Sequence, residues 1–464
     1  MKNFFIILLL LIVVGCESSI SSTVVEGSVQ GATVSQLYIK SFELALPDTI
    51  NVDHNGSFKK ELAIKTAGFF TLYNNKGGRR EFKVYLEPGK KNNITLNVEK
   101  MEVVVNGELS KENQLYNELE RGSSNFIEKL WPDFETLDGE SIMKRINVFQ
   151  KSQNLVISDY AKKNKYNSDF IELLEQDVLY TSLMYKKWYL MDYMRTSDKE
   201  KKNKMMSPAE FKKYDEEINK TIEENPSLLK LDSYREVLYD QKGRNVNEKI
   251  DDDTSDFLLE DIKNIQTNIK SGEIQAAISY DFINLYLNKS KHKKDIVEIY
   301  KSFGAKGDKL EVIEKLYANL QKLDSGNLAP NFSCIGIDGQ AYSLNDFKGN
   351  VVYIDLWATW CGPCINEIPY LKNLEKSFEN KAIKFVSISI DRDTNSWKNF
   401  VKKKQLGGVQ LYADGEFDSK IMKDYFITSI PHFILIGRDG KIIDSNANRP
   451  SDKNINQILE KALR

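Results

Sequence analysis

Val351-Val352-Tyr353-Ile354-Asp355-Leu356-Trp357-Ala358-Thr359-Trp360-Cys361-Gly362-Pro363-Cys364 decides the reading of the C-terminal third of this chain. An apolar run of strand length leads into a turn with two cysteines, and helical spacing follows. Two cysteines three positions apart fall on one face at a helix start, close enough to be bridged by a disulfide. Pro363 suits a first helical turn, where its missing N–H costs nothing. The first cysteine then lies at the helix N-terminus, where unpaired backbone N–H groups and the helix dipole stabilise a thiolate. A stabilised thiolate with a second thiol in reach is the equipment of thiol–disulfide exchange. The other readings of Cys-x-x-Cys are a static disulfide or half of a zinc site. Zinc would need two further ligands, yet Cys334 is the one spare cysteine of this region and His54, His292 and His432 are far apart in sequence.

The same residues carry a resemblance. Asp355-Leu356-Trp357-Ala358-Thr359-Trp360-Cys361-Gly362-Pro363-Cys364 resembles the active site of thioredoxin. Ala329-Pro330-Asn331-Phe332, Leu344-Asn345-Asp346-Phe347-Lys348-Gly349 and Cys364-Ile365-Asn366-Glu367-Ile368-Pro369 resemble its extracytoplasmic relatives, the TlpA/ResA group. The resemblance implies an α/β thioredoxin fold over 326–464, with elements in the order β-α-β-α-β-α-β-β-α after an opening hairpin. It implies Cys361 as nucleophile and Cys364 as resolving thiol, the two forming a redox-active disulfide. Asp355, six residues before Cys361, matches a buried acid that exchanges a proton with the resolving thiol. Glu367 matches an acid that tunes the pair. Pro431, after Ile430, matches the cis-proline loop, which leaves the Ile430 backbone free to pair with a substrate strand. Trp360 is expected on the docking surface. His432 is expected to be packing or solvent-facing, and Cys334 to be a small buried residue.

Outward from this domain the pattern changes. Residues 108–325 show helical periodicity, with a good start at Ser207-Pro208-Ala209-Glu210 and apolar spacing along Ser168 to Arg195. Helices are also expected over Asp252 to Lys270 and Glu273 to Asn288, with breaks at Trp131-Pro132, Asn225-Pro226, Gly243 and Gly304. The aromatic stripe Tyr180, Tyr185, Trp188, Tyr189, Tyr193 reads as core; a partner-binding groove is the alternative. Residues 24–107 alternate like strands over Val24–Val29, Gln36–Ser41, Gly68–Tyr73, Glu81–Leu86 and Asn93–Val98, separated by turn signals such as Asn55-Gly56, Asn74-Asn75 and Lys76-Gly77-Gly78. A small all-β sandwich or barrel follows. It resembles a β-rich domain of unknown function that precedes TlpA-like thioredoxins in envelope lipoproteins.

At the front, Met1-Lys2-Asn3 is followed by an unbroken apolar run, Phe4 to Val14, and then Gly15-Cys16. The run has the length of a signal-peptide core and is too short to span a bilayer. Val13-Val14-Gly15-Cys16 resembles a bacterial lipobox. This implies a signal peptide over 1–15, lipidation of Cys16, a tether over 16–23 and an anchor in the membrane.

The chain has 464 residues, 41% of them hydrophobic and 28% charged, with a net charge of −2. That length allows several domains, and the weak net charge argues against nucleic acid as a partner. Four cysteines make no disulfide-stapled framework. The expected protein is multidomain: an N-terminal all-β module, a helical middle and a C-terminal α/β thioredoxin fold. Its expected activity is thiol–disulfide oxidoreduction on protein disulfides. It is expected to face the periplasm, to be re-reduced by a membrane thiol donor and to need no cofactor or metal. Reduction of apocytochrome c cysteines is one task the resemblance implies. The alternatives are a disulfide oxidase or isomerase, or a binding or scaffold module in 24–325 with an accessory redox domain. A peroxidase is disfavoured, because Leu356 to Cys361 lacks the Pro-x-x-x-Thr/Ser-x-x-Cys loop.

Overall fold

The computed structural model describes residues 22–74, 80–244 and 256–464. The signal peptide, Cys16, most of the tether, the Lys76-Gly77-Gly78 turn and the start of the Asp252 helix lie outside the described residues. The chain forms two compact units. One holds the described residues up to Ile222 with Ser227–Val237; the other holds Glu223–Pro226 with Leu238–Arg464. The helical middle is therefore shared between them.

In the first unit, β1 (Thr23–Gln30), β2 (Gln36–Lys40), β3 (Asp48–Asn51), β4 (Ser57–Leu62), β5 (Gly68–Asn74), β6 (Arg80–Leu86), β7 (Lys91–Asn97) and β8 (Glu102–Gly107) make two four-stranded sheets. Their orders are β4-β1-β7-β8 and β3-β2-β5-β6. Val25, Leu37, Ile50, Leu72, Val84 and Ile94 form one shared core. Strands β3, β4 and β8 were not expected from alternation. The first is only four residues long, the second carries Lys59-Lys60, and the last is a mostly exposed edge. The helices are α1 (Ser110–Asp133), α2 (Gly139–Lys163), α3 (Ser168–Arg195), α4 (Lys199–Met205), α5 (Pro208–Thr221) and α6 (Asp232–Leu238). A buried amide ties α1 to β6: Asn113 accepts from the Tyr85 N–H at 2.8 Å and donates to the Tyr85 carbonyl at 2.9 Å. The cap box at Ser207 and Glu210 forms as its sequence implies. In contrast, α1 runs through the expected break at Trp131-Pro132, because Pro132 falls in its last turn. Tyr180, Tyr185, Tyr189 and Tyr193 of the aromatic stripe are buried and belong to the core, while Trp188 is half-buried.

The α-helices ahead of the C-terminal domain in the second unit are α7 (Phe257–Asn268), α8 (Gly272–Tyr286), α9 (Lys293–Ser302) and α10 (Gly307–Leu320). The C-terminal domain follows: β9 (Ser333–Gly336), β10 (Ala341–Ser343), β11 (Val351–Trp357), α11 (Gly362–Ser377), β12 (Ile383–Ser389), α12 (Thr394–Lys404), β13 (Val409–Tyr412), α13 (Lys420–Asp424), β14 (His432–Ile436), β15 (Ile442–Asp444) and α14 (Ile455–Ala462). Seven strands form one sheet, ordered β10-β9-β13-β12-β11-β14-β15. β11, apolar except for Asp355, is central, parallel to β12 and antiparallel to β14. This is the expected thioredoxin-type alternation, entered through an antiparallel β9–β10 hairpin. Side-chain-to-backbone bonds join α8 and its C-terminal turn to this domain. Thr428 donates to the Leu285 carbonyl at 2.7 Å and Asn288 to the Phe426 carbonyl at 2.8 Å. Among the described residues no helix is long and apolar enough to cross a membrane.

Candidate active site

The strand–turn–helix at β11 and α11 sets the site. Cys361 occupies the cap position of α11, with Pro363 in the first turn. Cys361 and Cys364 are joined as a disulfide, their Cα atoms 5.2 Å apart. The Cys364 backbone N–H points at the Cys361 sulfur, 3.2 Å away. This is the direct form of helix-start stabilisation, because a thiolate at that position would accept the same N–H. Exposure does not separate the two cysteines: Cys361 is 5% and Cys364 4% exposed. Their surroundings do. Cys361 follows Trp360, which is 57% exposed, whereas Cys364 lines an internal cavity together with Asp355 and Ser387.

Asp355 sits in β11, opposite Ser387 of β12 and Phe433 of β14. The residue is part-buried, and enclosure of its carboxyl by protein pushes it up to about 7. The Ser387 hydroxyl, 3.4 Å from the carboxylate, opposes that rise; the Glu367 and Glu375 carboxylates add to it. An acid with this value exchanges protons near neutral pH.

Glu367 is buried on α11, one turn after Cys364. Both its oxygens are engaged at the loop before α14. One accepts from the Ser451 N–H at 3.0 Å and the other from the Ser451 hydroxyl at 2.9 Å. It anchors α11 to that loop and reaches the site through its charge.

The Ile430–Pro431 peptide bond is cis. His432 follows in β14, buried, with Nε2 2.8 Å from the Ser445 carbonyl. A carbonyl only accepts, so Nε2 carries the proton. Burial pushes the ring down to about 4, and it is neutral at pH 7. His432 is thus a packing residue. Cys334 is buried in β9, where burial alone pushes its thiol up to about 12. It stays protonated and unreactive.

Two residues of the site escaped sequence reasoning. Asp391, after β12, is 2% exposed and holds the turn ahead of the cysteines. It accepts from the Thr359 N–H at 3.0 Å and from the Thr359 hydroxyl at 2.6 Å, and its other bond is to Ser389. A lone Asp after an apolar strand gives no sign of this long-range contact. Phe417, 40% exposed, lies with its ring centroid 6.3 Å from that of Trp360. Together they form an apolar surface next to Cys361.

A paired cysteine at a helix start, a raised carboxyl inside the central strand and a cis-proline strand define a thioredoxin-type oxidoreductase. Residues 324–460 match the Redoxin family. The thiol-disulfide oxidoreductase ResA of Bacillus cereus (strain ATCC 10987 / NRS 248) is 32% identical over 146 residues, covering 31% of this chain and 82% of the relative. ResA of Bacillus subtilis (strain 168) is 28% identical over 132 residues, covering 28% of this chain and 72% of the relative. Among solved structures, the thioredoxin domain of a thiol-disulfide oxidoreductase from Bacteroides vulgatus shares 30% identity over 31% of this chain and 99% of that one, with a TM-score of 0.29. The chain belongs to the ResA-like thiol-disulfide oxidoreductases through its C-terminal domain. It is an enzyme of that class.

Proposed function

We propose that the protein reduces disulfides of other proteins by dithiol exchange through Cys361-Gly362-Pro363-Cys364. The observation that carries this is the Cys361–Cys364 disulfide at the start of α11, with Asp355 lining the cavity beside Cys364. In the dithiol form the Cys361 thiolate attacks one sulfur of a substrate disulfide. That S–S bond breaks, a mixed disulfide forms, and the first substrate thiolate leaves and takes a proton. Asp355 accepts the Cys364 proton, and the Cys364 thiolate attacks the Cys361 sulfur. The second substrate thiolate leaves. Two electrons have passed to the substrate, and the Cys361–Cys364 disulfide remains. The backbone at Ile430 and the Trp360 ring receive the substrate strand, and Glu367 adds negative charge near Asp355.

The protein is anchored through lipidated Cys16 in the bacterial cell envelope, faces the periplasm and is re-reduced by a membrane thiol donor. The lipobox-like Val13-Val14-Gly15-Cys16 supports the anchor. The Gly-Pro pair between the cysteines supports the reducing direction. Apocytochrome c cysteines are one substrate class the TlpA/ResA resemblance supplies. Insulin reduction with dithiothreitol as electron source tests the chemistry: the wild type accelerates it and Cys361→Ser does not. Equal rates for the two proteins would reject the assignment.

A further inference from the structure

One half-buried carboxylate next to the site has no part in the chemistry above. Glu375 lies on the face of α11 that also carries Cys364, Ile368, Leu371 and Lys372, a spacing of three and four residues. With Asp355 and Cys364 it lines a single cavity of about 10 Å³, the room of one water molecule. Trp357 and Gln410 line the same cavity. The Trp357 indole N–H and the Gln410 side-chain oxygen are both buried without a protein partner. Buried polar groups of this kind are normally satisfied, so the cavity offers a water a donor, an acceptor and two carboxyls.

The outer end of the cavity is built around Glu375. A side chain at Gly407 would collide with its Oε2, and one at Gly408 would come within 2.8 Å of its Oε1. Gly407 is exposed, so the carboxylate sits directly behind a thin, side-chain-free piece of surface.

We propose that Glu375 is a positioning residue for proton exchange: it passes the proton that Asp355 takes from the Cys364 thiol through this cavity and out to solvent past Gly407. The inference rests on the dithiol-exchange reading. Each time Cys364 attacks the mixed disulfide, its thiol proton moves to Asp355. Asp355 must shed that proton before the next turnover, and β12 and β14 flank it on both sides. Glu375 supplies the second carboxyl along the way. Burial raises its carboxyl and Lys372 opposes that rise. Lys372 also donates to the Lys404 carbonyl at 2.6 Å, at the end of α12. Asp355 faces the cavity from β11, and Glu367 on α11 acts on Asp355 through its charge. The lining from β12, β13 and the Leu406–Gly407 loop carries no charged side chain.

The test follows oxidation of the reduced full-length protein by glutathione disulfide in stopped flow, reading tryptophan fluorescence between pH 5.5 and about 9. Wild type, Glu375→Gln, Gly407→Ala and Cys361→Ser are compared. Gly407→Ala keeps the carboxylate and pushes it out of place. We expect both Glu375→Gln and Gly407→Ala to slow the reaction roughly tenfold in the range where Asp355 must exchange its proton. We also expect their pH profiles to change shape and added imidazole to recover part of the loss. If both variants keep the wild-type profile, or are slower by one constant factor at every pH, Glu375 is only structural and the proposal is overturned. If the wild type itself reacts no faster than Cys361→Ser, the exchange reading fails first and this proposal falls with it.

Discussion

Asp391 accepts two hydrogen bonds from Thr359, two residues ahead of Cys361, at 3.0 and 2.6 Å. The carboxylate is buried and also holds Ser389, so it fixes the end of β12 to the turn that presents the cysteines. Asp391→Ala leaves the Thr359 N–H without that partner. The cost expected is about 1–3 kcal/mol, read by denaturant unfolding of the oxidised protein. Insulin reduction should fall as well, since the turn no longer holds Cys361 in register. Unchanged stability would mean the network contributes nothing net.

Asp355 gives a pH dependence with a definite sign. Its folded value of about 7 lies above the ordinary carboxyl range, so the folded state holds a proton that the unfolded state releases. The native state is therefore penalised progressively as pH rises from about 4 to about 7, and fully above that. Asp355→Asn should stabilise the oxidised protein at pH 8, by an amount on the order of 2 kcal/mol, and change little at pH 4. The same substitution should slow disulfide exchange at neutral pH by at least ~10-fold. Thermal unfolding across pH, beside the exchange rate, separates the two effects.

His432 has the opposite slope. Its folded value of about 4 lies below the ordinary 6.5, so the folded state binds fewer protons than the unfolded state. The stability tied to the neutral ring is full above about 6.5 and is lost as pH falls toward about 4. His432→Gln should flatten the loss of Tm in that window and leave turnover at pH 7 within about twofold of wild type. A large drop in turnover would place His432 in the chemistry.

Cys334 should resist alkylation in the native reduced protein, while Cys361 reacts. Burial keeps its thiol protonated at pH 8. Mass spectrometry after brief iodoacetamide treatment reads this directly. Cys334→Ala should retain full reductase activity.

Trp360 and Phe417 predict a substrate-size effect. Trp360→Ala should raise KM for insulin roughly tenfold, since a large exposed aromatic is a typical anchor of docking surfaces. Turnover with glutathione disulfide should be nearly unchanged, as that molecule is too small to need the surface.

The C-terminal fold was legible because β11 is an apolar run of strand length and the Cys-x-x-Cys turn fixes where its helix begins. The placement of Asp355, Cys361 and Cys364 follows from that one stretch. Asp391, Phe417 and Glu375 were not legible. Each acts through a partner distant in sequence or on another element: Thr359 for Asp391, Trp360 for Phe417, Asp355 for Glu375. Local pattern carries no such pairing. Glu367 was located on α11, but its bonds to Ser451 depend on a loop 84 residues away. In the first unit, β3 and β4 were missed because short or lysine-bearing edge strands lack clean alternation. The division of the helical middle at Ile222–Leu238 has no composition signal, since helical spacing continues on both sides.

The most direct test of the account is a covalent trap. In Cys364→Ser the Cys361 thiolate still attacks, but the mixed disulfide has no resolving thiol. Expressed in the envelope, this variant should accumulate a disulfide-linked partner through Cys361, released by dithiothreitol and identified by mass spectrometry, and the Cys361→Ser/Cys364→Ser double variant should not. Absence of any covalent partner, or an adduct that persists in the double variant, would contradict the assignment of Cys361 as the attacking sulfur.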